Sequence, residues 1–234
     1  AIRRQRQMCI RDRTGRDIDA ILITHEHVDH IAGLGVLSRR YGIPIYTTEK
    51  TADAIQETKS VGKIPEELFH PVCAEEAFTI KDLTVNPMRI SHDAADPVGY
   101  RFSYGSSHAA VCTDLGTYND YTVECLKGMD VLLLEANHDV NMLQVGSYPY
   151  YLKQRILGNR GHLSNENSGR LLSRVLHDNL KKVILGHLSQ ENNLPELAYE
   201  TVRMEIDLAD NPYHGGDFPI QVAKRNEVSE MICF

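Results

Sequence analysis

Residues 21–34 read Ile21-Leu-Ile-Thr-His-Glu-His-Val-Asp-His-Ile-Ala-Gly-Leu34, an apolar run followed by three histidines and two carboxylates within six positions. Such polar density after an apolar strand is unfavourable to folding unless the side chains bind something. The run over 19–24 reads as a buried strand. His25 and His27, two apart in extended geometry, therefore send their rings to the same side. Asp29 and His30 follow at the turn into a helix expected over 31–41. Imidazole nitrogens with carboxylate oxygens suit zinc, or manganese and iron when carboxylates take a larger share. A lone His-x-His is weak evidence, whereas His-x-His-x-Asp-His between an apolar strand and an amphipathic helix reads as a metal motif.

Four residues cannot surround two ions, so partners must come from elsewhere in the chain. His92, Asp114 and His187 each lie just past the end of an expected strand: LTVNPMRIS, HAAVCT and KKVILG. Strand ends are where an α/β fold presents ligands outside its sheet. His70, His108, His177 and His214 lack that placement and read as ordinary polar residues.

Outward from these positions, short β runs alternate with helical patterns, the signature of a layered α/β fold. Strands are expected at 44–47, at several places in 77–114, at 131–135 and at 182–186. A Gly105-Ser-Ser107 turn makes a hairpin of the strands on either side. Helices are expected at 48–57 with a capping signal, at 119–127, 165–177 and 194–208. The chain has 234 residues, 42% hydrophobic content and net charge −7, enough for a real core. No run approaches a transmembrane span. The five cysteines are dispersed and free of CxxC pairs, which argues against a disulfide framework or a cysteine zinc site and for a reducing, cytoplasmic setting.

Residues 1–13 (AIRRQRQMCIRDR) do not belong with the rest: they read as a non-native or disordered segment, QMCIRDR resembling a translated sequencing adaptor. Without their five arginines and one aspartate the net charge of −7 becomes −11. The hydrolase domain is expected over 14–234. Between 153 and 182 the balance reverses, with Lys153, Arg155, Arg160, Arg170, Arg174, Lys181 and Lys182 against Glu166 and Asp178. That local excess offers modest support for an anionic substrate.

The ordered set HxHxDH at 25–30, His92, the aspartate of VCTDLG and the histidine of ILGHL resembles the metallo-β-lactamase fold superfamily. The finer resemblance is to its YycJ/WalJ (VicX) subgroup, carried by TGRDIDAILITHEHVDHIAGLGVLSRRYGIPIY, SHDAADPVGY, LLLEANHD, RGHLSNENSG and LGHLSQENN. The resemblance implies an α/β fold of the four-layer αβ/βα sandwich type, here N-terminally truncated because the family's leading strands are missing. It implies two divalent ions per chain, zinc or manganese with iron as a further option. His25, His27 and His92 would hold the first, Asp29, His30 and His187 the second, and Asp114 would bridge them. Asp29, Glu135 and His162 are the candidate catalytic residues, with His162 of RGHLSNENSG as proton donor paired to Glu135. Ser164 is placed to cap the helix after His162, and Asn137, His138 and Asp139 are candidates to line the same cleft. The implied activity is a metal-dependent phosphodiesterase, a 5′-to-3′ exonuclease on DNA in preference to RNA, with no membrane partner. Two other readings keep the ligands: hydrolysis of a small thioester, lactone or related ester, and a non-catalytic metal-binding regulator.

Overall fold

The computed structural model describes residues 15–234, and the expectation for residues 1–13 lies outside them. The chain divides into two units, one ending at Pro87 and including Ala94–Val98, the other formed by Met88–Asp93 and Gly99–Phe234.

In the first unit, β1 (Ile21–Leu22), β2 (Ile45–Thr47) and β3 (Phe69–Pro71) form a parallel sheet in that order. Ile21 stands opposite Ile45, and Ile45 opposite Phe69. Only two residues of the expected 19–24 run are regular strand, although the Ile23 amide still donates to the Tyr46 carbonyl at 3.0 Å. Ile23, Ile31, Leu34, Ile45, Ile55, Val61 and Ile64 make the core. The single helix expected over 31–41 is two: α1 (Val28–Ile31) and α2 (Leu34–Tyr41), with Gly33 at the N-cap of the second. A glycine mid-pattern weakens helix propagation, and here it marks the break. Left-handed Gly42 (φ 64°) closes α2 and donates its amide to the Ser38 carbonyl. The next helix, α3 (Glu49–Glu57), starts where expected, but Thr48 makes no side-chain cap bond. Its hydroxyl instead donates to the Asp96 carbonyl at 2.9 Å. An antiparallel hairpin, β4 (Phe78–Ile80) with β5 (Leu83–Arg89), then leads the chain onward.

The second unit is built on strands in the order β10-β9-β8-β7-β6: β6 (Val98–Tyr104), β7 (Ser107–Cys112), β8 (Val131–Glu135), β9 (Lys182–Gly186) and β10 (Ile220–Val222). The β6–β7 pair is the expected hairpin, turning at Gly105 with φ 57°. From β7 to β10 every pairing is parallel. Such strands, buried on both faces, need continuous apolar runs, which VLLLE and KVILG supply. The helices are α4 (Asp120–Leu126), α5 (Val140–Val145), α6 (Tyr150–Leu157), α7 (Asn165–Ser173) and α8 (Pro195–Leu208). A capping box between Asn119 and Thr122 opens α4, and the Ser164 side chain accepts from the Asn167 amide to cap α7 as expected. At Gly169 a side chain would meet Glu205 Cβ at 2.6 Å, so α7 and α8 touch there only because the position is glycine. The core gathers Met88, Cys112, Leu115, Leu132, Leu134, Leu171, Val183, Leu185, Val202 and Ile206 among others. Helices α5 and α6 and strands β3 and β10 were not expected from the sequence.

Candidate active site

Two clusters carry the residues singled out from the sequence, one in each unit. In the first unit, His25, His27, Asp29 and His30 come together. The rings of His25 and His27 lie 4.5 Å apart, those of His25 and His30 4.1 Å. One hydroxyl, that of Thr24, sits 3.0 Å from His25 Nδ1 and 3.2 Å from His30 Nδ1. Engaging Nδ1 fixes each ring's orientation, as an outer partner does for a metal-binding histidine. His27 is the N-cap of α1 but makes no side-chain cap bond, so capping does not account for it. Asp29 Oδ2 lies 3.6 Å from His30 Nε2. Glu26, the motif's other carboxylate, is occupied differently: it accepts from the Ala95 amide at 2.8 Å.

In the second unit, the parallel ladder explains the assembly. Cys112 pairs with Leu134, Leu134 with Leu185, and Glu135 with Gly186. Asp114, Glu135 and His187 therefore leave three adjacent strands at one edge. Both Asp114 (φ 60°) and His187 (φ 56°) adopt the left-handed conformation, which turns the chain sharply at the strand end. Non-glycine residues rarely hold it, and clustering at a site of function is the usual circumstance.

Glu135 is wholly buried and accepts from His162 Nδ1 and His187 Nδ1, both at 2.8 Å, through Oε1. Its Oε2 accepts from the backbone amides of Leu115 (2.8 Å) and Leu163 (3.0 Å). Burial opposes ionisation of this carboxyl, but the bonds from His162 and His187 outweigh it and hold the carboxylate well below its usual range. With Nδ1 donating to Glu135, His187 Nε2 lies 3.4 Å from Asp114 Oδ1. His92 repeats the pattern: Nδ1 donates to the Gly161 carbonyl at 3.0 Å, and Nε2 lies 3.7 Å from the same Asp114 oxygen. Burial lowers the His92 pKa against the pull of Asp114, favouring the neutral imidazole that a metal needs.

These spacings exceed a charge-assisted hydrogen bond and match donors arranged around an ion. Asp114, Glu135, His162 and His187 each offer a ligand atom within 4.8 Å of the others. The donor set is imidazole and carboxylate without thiolate, and it fits a hard or borderline divalent cation. Glycines bring the loops this close: a Cβ on Gly116 would meet the Gly161 amide nitrogen at 2.4 Å.

A buried asparagine network, which the sequence reading did not pick out as such, supports this edge. Asn165 and Asn193 exchange amide bonds at 2.9 and 2.8 Å, and Asn193 also donates to the Ala136 (2.9 Å) and Asn137 (3.0 Å) carbonyls. Asn137 in turn donates to the His187 carbonyl at 2.9 Å, clamping the left-handed residue. The signal was present as the repeated Asn-rich strings ANHD, SNEN and QENN, whose shared partner no spacing rule reveals. Asn137, His138 and Asp139 thus serve the scaffold: His138 is buried, and Asp139 caps α5 by accepting from the Met142 amide at 2.7 Å.

The local excess of positive charge is largely taken up inside the unit. Arg155 pairs with Asp93, Arg170 with Glu205, Arg174 with Asp120 and Lys181 with Asp130. Arg160 donates to the His92 carbonyl and Lys153 to two further carbonyls. The expected basic field is therefore weaker than the count suggests. Among the four histidines set aside, His177 Nε2 donates to the Met129 carbonyl and His108 pairs with Ser103, both ordinary polar roles.

Known proteins resemble this chain in sequence and in fold. The sequence profile described as "Beta-lactamase superfamily domain" matches residues 2–187. Exodeoxyribonuclease WalJ of Streptococcus pneumoniae is 43% identical over 199 residues, 85% of this chain and 74% of that protein. Exodeoxyribonuclease YycJ of Bacillus anthracis is 39% identical over 191 residues, 82% of this chain and 72% of that protein. Among solved structures, the metallo-β-lactamase fold protein YhfI from Bacillus subtilis superposes with a TM-score of 0.64 at 17% identity, covering 91% of this chain and 77% of its own.

Proposed function

Because this chain belongs to the beta-lactamase superfamily domain family, we propose that it is a metal-dependent hydrolase of nucleic-acid phosphodiesters, an exodeoxyribonuclease acting on DNA. The relatives' names and the cluster around Asp114 support this reading. The observation that carries it is Glu135 gripping both His162 and His187 through Nδ1. A bare metal-binding site needs only the second grip.

The proposed metal ligands are His25, His27, Asp29, His30, His92, Asp114 and His187, and the proposed cofactor is two divalent ions per chain, zinc or manganese. Bound ions supply an acidified water and neutralise phosphate charge. The remaining chemistry belongs to the chain. Glu135 fixes the His162 tautomer with its proton on Nδ1, which leaves Nε2 to carry a second proton to the departing oxygen. Gly161, bonded to His92, ties the backbone beside the proton donor to a ligand. His162 is partly exposed while Glu135 is not, so the donor reaches substrate and its anchor is kept dry.

The test compares wild type and His162→Ala on end-labelled duplex DNA and on bis(p-nitrophenyl) phosphate, with metal content measured alongside. Metal content is expected to hold while DNA cleavage slows by ~10²–10⁴-fold, the usual contribution of general acid catalysis. The nitrophenyl diester, whose leaving group needs little protonation, is expected to slow far less. Equal slowing of both substrates would remove His162 from proton transfer, and loss of metal would make it a ligand.

A further inference from the structure

Helix α6 has no buried residue at all. A helix of eight residues has too little propensity to stand by itself and ordinarily relies on a buried apolar face. Here, of the apolar residues, only Leu152 and Ile156 are half-buried, and polar ties supplement them. Lys153 Nζ donates to the carbonyls of Gln144 (2.8 Å) and Gly146 (2.7 Å), Arg155 pairs with Asp93, and the His162 amide donates to the Ile156 carbonyl at 3.0 Å. Just past the helix, the Asn159 carbonyl accepts from Ser91 and Arg160 donates to the carbonyl of His92. The helix is thus fastened to residues 91–93 and 162, the immediate neighbours of the cluster around Asp114.

What it presents outward is aromatic. Tyr150 and Tyr151 are 76% and 74% exposed, and Val145 at the end of α5 is 86% exposed. Leaving such rings in water sacrifices the burial that tyrosine normally contributes. The charge around them points to what covers them. From Val140 to Asn165 the chain has no aspartate or glutamate, but Lys153, Arg155 and Arg160, in a protein of net charge −7. Lys153 is held by carbonyl oxygens and makes no ion pair among the described residues. Arg155 is neutralised by Asp93 and Glu191 bonds Ser147, so the cation left beside the rings is Lys153; flat π-faces next to such a charge are complementary to exposed bases on a phosphate backbone. The competing occupant is a second copy of this chain, since tyrosine and arginine also favour protein interfaces, and self-association distinguishes it.

We propose that Tyr150 and Tyr151 form a stacking platform that holds the bases of a single-stranded stretch of nucleic acid beside the cluster at Asp114. The proposal rests on the nuclease reading above. It assigns to α5 and α6 the task of gripping the frayed strand while its phosphodiester is cut. Stacking is indifferent to base identity, so the platform gives affinity without sequence preference.

The test uses the full chain loaded with metal, the double variant Tyr150→Ala/Tyr151→Ala and the conservative Tyr150→Phe/Tyr151→Phe. Binding of a fluorescein-labelled phosphorothioate single strand is followed by anisotropy, turnover of bis(p-nitrophenyl) phosphate by absorbance, and self-association by sedimentation velocity. The alanine variant is expected to bind the strand ~5- to 150-fold more weakly per stacked base lost. The phenylalanine variant keeps its rings and is expected to bind like wild type, and the small diester should turn over equally in all three. Wild-type affinity in the alanine variant overturns the platform, as does an effect confined to self-association, which would make the patch a contact between copies. A wild-type protein that hydrolyses the nitrophenyl diester but neither binds nor cuts DNA would instead overturn the nuclease reading, and the platform with it.

Discussion

Glu135 accepts four hydrogen bonds at a position from which water is excluded, two from imidazoles and two from backbone amides. Replacing it by glutamine keeps the size but turns one acceptor into a donor. That donor must face either the histidine pair or the two amides, leaving buried groups unsatisfied whichever way it points. Glu135→Gln is therefore expected to weaken metal binding ~10- to 100-fold, the usual effect of losing a ligand's outer partner. Competition with a chromophoric chelator checks this. Cys112→Ala, nearby on β7 and fully buried, serves as control. It trims an apolar side chain, is expected to cost about 1–2 kcal/mol of stability, and should leave metal affinity within twofold. Equal losses in the two variants would reduce Glu135 to a packing residue.

At the scale of elements, the strand ends were legible and the devices that secure them were not. VLLLE and KVILG declared β8 and β9 to the residue because parallel strands buried on both faces must be continuously apolar. HxHxDH declared itself because three histidines beside two carboxylates have few structural uses. By contrast, α6 escaped notice because its apolar signal is a single half-buried pair, Leu152 and Ile156, with Lys153 and Arg155 helping to hold it. The break between α1 and α2 was hidden inside one amphipathic stretch. The asparagine network depends on contacts between residues 28 and 57 positions apart, which a single sequence cannot pair. Its importance is testable. Asn193→Ala strands the Ala136 carbonyl and both side-chain polar atoms of Asn165, while the Asn137 carbonyl keeps its bond from the Ser189 amide. A loss of about 2–3 kcal/mol in urea unfolding is expected from groups so buried. Asn193→Asp, nearly identical in shape, should be no milder, since a carboxylate cannot donate to those carbonyls. A harmless Asn193→Asp would show that the network contributes little.

For the molecule as a whole, acid should be the damaging direction. Burial lowers the His138 pKa from 6.5 to about 4. Below pH 6.5 the unfolded chain takes up a proton that the folded protein refuses until about pH 4. Protons bound in the unfolded state then exceed those in the native state, so stability falls as pH falls across that window. The loss from this residue is at most about 3 kcal/mol. Urea unfolding at pH 7.5, 6 and 5 checks it: wild type should weaken steadily and His138→Gln should show a shallower slope. Identical slopes would place the acid sensitivity elsewhere.

The left-handed backbone at Asp114 and His187 also governs how this enzyme can change over generations. At such positions glycine, asparagine, aspartate and histidine are tolerated, while β-branched residues are excluded by their own Cβ substituents. A single base change in an aspartate codon reaches asparagine, histidine and glycine, but also valine, alanine, tyrosine and glutamate. The first three leave the strand-end turn intact while removing its carboxylate, valine, alanine and tyrosine remove it and strain the turn, and glutamate keeps a carboxylate on a longer arm. A lineage abandoning hydrolysis while keeping a stable protein thus has three open doors at Asp114. Each leads to a folded protein without that carboxylate, a repurposed scaffold reached in one step.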